Sequence, residues 1–219
     1  LERFSFFALA QEIYSEGMIG KIKNLCERYS LPETCLDQTK ELLQTVVTMP
    51  IRELENNNLS QLAYQNILKE MPFYLSVSKF NTLGINKILL NEKTFQSLEY
   101  KEIEGLLTGF IDLIFICNGK YYLADYKSNS LNDYSSIGMI EVMKEHNYGL
   151  QLWIYALVLQ RFLEQSLPDY SYDKYFGGTF CFFVRGMNHL DSASGVFFEQ
   201  LEEKKLQQLD KIFTGKELV

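Results

Sequence analysis

The sequence predicts an α/β (α+β) fold in which a central mixed β-sheet is packed by helices, with a helical region leading into it. Three observations carry this. Apolar residues recur at helical spacing through much of residues 1–70. Two apolar, β-type runs at 106–116 and 121–126 meet at Asn118-Gly119. Beyond them, helical patterns at 136–147, 149–165 and 200–213 bracket a further strand-like run at 179–184.

In chain order, Ile13, Ile19, Ile22 and Leu25 mark a first helix. A second follows Pro32, carries Leu36, Leu42, Leu43, Val46 and Val47, and ends at Pro50. Asn56-Asn57-Asn58 marks a loop. Residues 73–77 read as a strand, and 81–104 read as irregular with one short strand. The helix at 149–165 stops before Pro168. Neither an internal repeat nor a low-complexity tract is present. The expected organisation is one unit, 1–219, with a mainly helical lead-in (1–70), a core (71–200) and a C-terminal helix (201–219).

Composition narrows the class. Of 219 residues, 47% are hydrophobic, with 16 Phe and 14 Tyr, enough for a sizeable core. No apolar run reaches the roughly 20 residues that span a bilayer, and no secretory signal pattern opens the chain. The start at Leu1 suggests a piece of a longer protein. Cys26, Cys35, Cys117 and Cys181 form no C-x-x-C pair, which argues against zinc and for a reducing compartment, hence cytoplasm. The net charge of −7 opposes a free-standing DNA binder, since phosphate neutralisation needs basic surface. No phosphate-binding G-x-x-x-x-G-K-[ST] loop occurs, so no ATPase motor is encoded here.

The hairpin places the chemistry. Asn-Gly between apolar runs signals a two-residue turn, because type I′ requires positive φ at both central residues. With Cys117 paired to Lys120, Asp112 falls opposite Asp125, and Lys127 shares Asp125's face. Opposed Cβ atoms lie about 4.5–5.5 Å apart, so two carboxylates would repel among apolar neighbours Ile114, Leu123 and Ala124. A divalent cation between them resolves the conflict, and hard oxygen ligands suit Mg²⁺, with Mn²⁺ as substitute. Lys127 could then hold an attacking water or stabilise charge in the transition state. The plainer alternative is an exposed Asp pair at a sheet end, with Lys127 as an ion-pair partner.

These residues also carry a resemblance. Gly109-Phe110-Ile111-Asp112 followed by Asp125-Tyr126-Lys127-Ser128-Asn129 resembles the signature of RecB-type nuclease domains, of the PD-(D/E)xK kind. The run from Tyr148 through Gln151 to Tyr155 resembles that family's Y-x-x-Q-x-x-x-Y motif. Phe176-Gly177-Gly178 with Phe182-Phe183-Val184-Arg185-Gly186 resembles its F-G-G … L-F-x-R-G strand. Leu59-Ser60-Gln61-Leu62 and Glu70-Met71-Pro72-Phe73 are similar to further family segments. The likeness covers roughly residues 18–200.

The resemblance implies a restriction-endonuclease-like core and a Mg²⁺-dependent DNA exonuclease. Asp112 and Asp125 would be metal ligands, the Tyr126 backbone carbonyl would complete a position, and Glu70 would support the site directly or through water. Lys127 would be the catalytic lysine, with Gln151 and Tyr155, four residues apart on one helix face, orienting it or the DNA strand. The intact protein would carry a helicase upstream, act on single-stranded or unwound DNA ends, and assemble with RecC- and RecD-like subunits in double-strand break repair and recombination. The family's N-terminal metal-ligating His has no counterpart at Phe6-Phe7-Ala8-Leu9, and the histidines are His146 and His189. His146 suits a helix cap or a surface position, His189 a solvated turn, and Arg185 either a phosphate contact or a solvated loop. The residues 202–205 suit a solvated helix face. A weakened or inactive nuclease-fold scaffold that guides DNA or binds partners is the competing reading, and a phage or CRISPR-associated exonuclease of the same superfamily a second.

Overall fold

A computed structural model describes Leu1 and residues 3–216; the last three positions of the expected C-terminal segment lie outside the described residues. Three helices come first: α1 (Phe6–Gln11), α2 (Glu16–Arg28) and α3 (Leu36–Thr48). Ser5 and Ser15 cap α1 and α2, their side chains accepting from the backbone N–H of Ala8 and Met18. Ile13 therefore lies between two short helices rather than inside one, and it is buried all the same. Helix α3 ends before Pro50, whose ring pushes Met49 to an extended conformation with ψ 128°.

The sheet begins earlier than the sequence suggests. Strand β1 spans Ile67–Asn81, so the helical lead-in stops short of residue 70. Its alternating polar positions leave one face open, which hid most of its length from an apolar-run reading. Helix α4 (Thr82–Leu89) was not anticipated; Asn81 caps it by accepting from Leu83 N–H. Then come β2 (Glu102–Cys117), β3 (Lys120–Lys127), α5 (Ser136–Glu145), α6 (Tyr148–Ser166), α7 (Tyr172–Tyr175), β4 (Phe176–Phe183), β5 (Val196–Glu199) and α8 (Glu203–Phe213). Strand β5 is four residues long, too short to register as a periodic signal.

The five strands lie in the order β1-β2-β3-β4-β5. Strands β3 and β4 run parallel, and the other neighbours run antiparallel, so the sheet is mixed as expected. The crossover from β3 to β4 passes through α5, α6 and α7, which a parallel pair requires. The hairpin turns at Asn118 (φ 50°) and Gly119 (φ 77°). Its ladder runs in the expected register from Cys117–Lys120 to Leu113–Ala124 and ends there, one step short of Asp112 and Asp125.

Two cores flank the sheet. One gathers Phe73, Ile111, Ile114, Leu123, Trp153 and Leu206 with helices α4 to α8. The other gathers Leu9, Ile22, Val46, Leu113, Phe115 and Phe180 with α1 to α3. Ile111 and Ile114 share one core while Leu113 and Phe115 share the other, so the side-to-side alternation of β2 breaks at Asp112. Across from the break on β1 lies Glu70, between the pairs Lys69–Leu113 and Met71–Ile111, with φ 49°. A non-glycine residue in that conformation inside a strand is locally strained.

Candidate active site

Strand β3 carries Asp125 and Lys127, β2 carries Asp112, and α6 lies against them with Tyr148, Gln151 and Tyr155. Lys127 is the hub. Its Nζ lies 2.6 Å from Asp125 Oδ2, donates to Gln151 Oε1 at 2.8 Å, and sits 3.8 Å from the centre of the Tyr148 ring. Gln151 Nε2 in turn donates to the Tyr155 hydroxyl at 2.7 Å. The amide is thus oriented from both ends, with oxygen toward the ammonium and nitrogen toward the phenol. Tyr155 is held edge-on by Phe73 at 5.7 Å. Phe73 lies across Gly109, where a Cβ would come within 2.8 Å of its ring; this close approach is the local reason for glycine there.

Asp112 joins the group from the neighbouring strand β2. Where the β2–β3 ladder ends, its Oδ2 accepts the Tyr126 backbone N–H at 2.9 Å. A side chain thereby takes over a ladder position, and the two strands part around the carboxylates.

Burial sets the electrostatics. Asp125 is only 3% exposed. Desolvation pushes its carboxyl up to about 6; the Lys127 ammonium counters this and the Asp112 carboxylate adds to it. Asp112 is also raised, first by burial, with the Tyr126 N–H and Lys127 opposing and Glu70 contributing. Burial and Asp125 push the Tyr155 phenol up to about 12. The Cys181 thiol, paired beside Asp125 across the parallel ladder, is fully buried and is raised by burial and by the same carboxylate, which disfavours the thiolate.

The donor set fits a hard divalent cation. Asp125 Oδ2 is buried and its one close partner is the Lys127 ammonium at 2.6 Å, so a carboxylate oxygen with two lone pairs keeps capacity for a cation. Two neighbouring carboxylates that resist ionisation would be relieved by a cation between them. Among the described residues no three His, Cys, Asp or Glu side chains converge as a ligand cluster. Two carboxylates with the balance supplied by backbone oxygen and water is a common Mg²⁺ arrangement. Glu70 is exposed and acts on Asp112 electrostatically, without joining such a cluster.

A cleft of about 280 Å³ opens beside the group, with Phe73, Thr108, Gly109, Gln151 and Tyr155 on its walls. A larger one, about 410 Å³, lies between α1 and the start of β1 and is lined by none of Asp112, Asp125, Lys127, Gln151 or Tyr155. His146 is the C-cap residue of α5 and stacks on Tyr148 at 5.2 Å. His189 reaches the Thr48 hydroxyl at 3.2 Å, a contact its expected solvated turn did not suggest. Sequence reasoning quoted Tyr148 in a motif but assigned it no part. Its seat against Lys127 follows from lying three residues before Gln151 on the same helix.

Comparison with known proteins agrees with this geometry. A family model described as the PD-(D/E)XK nuclease superfamily matches residues 8–216. The chain is 36% identical over 200 residues to the RecBCD enzyme subunit RecB of Haemophilus influenzae, covering 88% of this chain and 16% of that protein. It is 34% identical over 201 residues to the RecB subunit of Buchnera aphidicola subsp. Baizongia pistaciae, covering 88% of this chain and 17% of that one. Against RecB of Escherichia coli it is 34% identical over 184 residues, 80% of this chain and 16% of that protein. The chain therefore spans only a minor part of the length of these relatives.

Proposed function

The chain belongs to the PD-(D/E)XK nuclease superfamily, and from that membership we propose that it hydrolyses DNA phosphodiester bonds with a divalent cation held by Asp112 and Asp125. The observation that carries the reading is the position of Lys127, pinned between Asp125 and Gln151. A bare structural ion pair would not need a second, directional acceptor fixed in turn by a buried phenol.

Each group has a task. Asp112 and Asp125 supply anionic oxygens, with the Tyr126 carbonyl as a further ligand and Glu70 supporting the metal site directly or through water. Mg²⁺, or Mn²⁺ in its place, would neutralise phosphoryl charge and raise the acidity of water when bound. Lys127 orients the attacking water and stabilises negative charge developing on the phosphoryl oxygens. Gln151 and Tyr155 hold the ammonium in that position. Likeness to RecB subunits supports an exonuclease acting on single-stranded or unwound ends, within a longer cytoplasmic helicase–nuclease that assembles with RecC- and RecD-like subunits in DNA repair.

A scaffold that guides DNA without cutting it is favoured by one observation, the absence of a third side-chain ligand among the described residues. Cleavage of end-labelled single-stranded DNA in Mg²⁺ decides between them. Wild type should degrade it, and Asp125→Ala should lose that activity while keeping its circular dichroism spectrum. Undiminished cleavage by the variant would remove the mechanism; no cleavage by wild type would favour the scaffold.

A further inference from the structure

Arg185 follows β4, just past the point where that strand pairs with the end of β3 at Lys127–Phe183. The Val184 N–H donates to the Lys127 carbonyl at 3.0 Å, so the backbone beside Arg185 is tied to the backbone of the lysine itself. The guanidinium Nε then donates to the Ser128 carbonyl at 2.8 Å. This brings an exposed cation over the loop that leaves the catalytic strand. Among the described residues both terminal nitrogens of that guanidinium are without a partner, and no carboxylate pairs with it.

The frame around it is rigid. Gly186 N–H donates to the Phe183 carbonyl at 2.8 Å, closing a turn. Gly186 lies flat against Tyr134, where a Cβ would come within 2.2 Å of the ring. The Tyr134 hydroxyl donates to the Asn129 carbonyl and accepts from Leu131 N–H, each at 3.1 Å. The Tyr148 hydroxyl donates to Asn129 Oδ1 at 3.3 Å while its ring faces Lys127. One network therefore fixes Lys127, the 128–131 loop and Arg185 relative to one another. Holding one carbonyl needs only one donor. Spending Nε on it leaves the planar two-nitrogen fork pointing outward, a shape that matches two oxygens of a phosphate.

We propose that Arg185 grips a backbone phosphate next to the scissile one, setting where the strand lies against Lys127. This rests on the nuclease reading for its substrate. In a chain of net charge −7, a fixed cation at this place would supply attraction that the general surface does not. Arg185 is here a substrate-positioning residue, with no part in bond-making.

The test is binding of a fluorescein-labelled 12-mer of thymidine in EDTA, read by anisotropy at several salt concentrations, so that no cleavage intervenes. Arg185→Ala should weaken binding about tenfold and reduce the salt slope by roughly one counterion. Arg185→Gln keeps an amide donor for Ser128 but no charge, and should bind as weakly as the alanine variant; recovery to wild-type binding would assign Arg185 to loop support alone. Single methylphosphonate substitutions along the strand should reveal one position where wild type and Arg185→Ala bind equally. Unchanged affinity and salt slope in Arg185→Ala, a deficit that persists at every methylphosphonate position, or a wild type that does not bind at low salt would each overturn the proposal. A wild type that binds through Arg185 yet fails to cut in Mg²⁺ would instead refute the nuclease reading and leave the phosphate contact standing.

Discussion

The Lys127 ammonium lies 2.6 Å from Asp125 Oδ2, and Asp125 is among the few charged side chains buried in the protein. The pair is not isolated: Gln151 Oε1 accepts a hydrogen bond from the ammonium and Tyr148 covers it with a ring face. Coulomb attraction alone would let a lysine with four rotatable bonds choose among several approaches. Here the approach is fixed by Gln151 and Tyr148 on α6.

Gln151→Leu should therefore act on rate more than on binding. Loss of the directional acceptor frees the ammonium to swing, and misplacement of about 1 Å costs up to roughly a hundredfold in turnover. Steady-state cleavage should show kcat falling with KM little changed. Tyr155→Phe removes only the outer hydrogen bond and should cost less than Gln151→Leu. Equal effects from both would mean that Gln151 is not the residue holding the lysine.

Beside its stack on His146, Tyr148 touches the site through its ring and through its hydroxyl, and these can be separated. Tyr148→Phe keeps the ring under Lys127 and drops the bond to Asn129; Tyr148→Leu drops both. A desolvated cation–π contact is worth about 2 kcal/mol, so the leucine variant should be at least tenfold slower than the phenylalanine variant in single-turnover cleavage. Parity between them would place the value of Tyr148 in its hydroxyl.

Metal binding should release protons. Asp125 titrates near 6 because burial penalises its anion, so a cation that needs the carboxylate competes with hydrogen ion below that pH. Calorimetry in buffers of different ionisation enthalpy should show proton release at pH 6 that shrinks by pH 8, and affinity for Mn²⁺ should fall as the solution is acidified from 7 to 5.

Outside the group around Lys127, Glu199 gives a stability test. Burial and the nearby Glu92 carboxylate push it up to about 7, with Lys93 and Lys205 opposing. Lys205 is engaged by Glu92 itself. A raised carboxyl contributes stability that is present in full below its unfolded value near 4.5 and is lost as pH climbs through about 7. Glu199→Gln should hence stabilise the protein at pH 8, on the order of 2 kcal/mol, and give no advantage at pH 4. Thermal melts at the two pH values check this; a constant difference would contradict it.

Much of this was legible in the residues. Asn118-Gly119 set the hairpin register, because a one-residue slip would turn every side chain of the strand over. That register put Lys127 with Asp125, and helical spacing put Gln151 with Tyr155. What stayed hidden was tertiary. The early start of β1 was masked by its open, polar-alternating face. Helix α4 is only eight residues long, too brief for a clear period. The break in β2 alternation at Asp112 depends on Glu70 of a different strand and on two separate cores, which no local pattern encodes. The step from opposed carboxylates to a ladder that ends just before them is likewise a matter of packing: Asp112 spends an oxygen on the Tyr126 N–H.

Joint ligation of one divalent cation by Asp112 and Asp125 is open to calorimetric titration of Mn²⁺ into the wild-type chain and into Asp112→Asn and Asp125→Asn variants. Wild type should show one saturable site, lost or weakened at least tenfold in each variant while the fold is kept. Wild-type affinity surviving in either variant would rule out shared ligation.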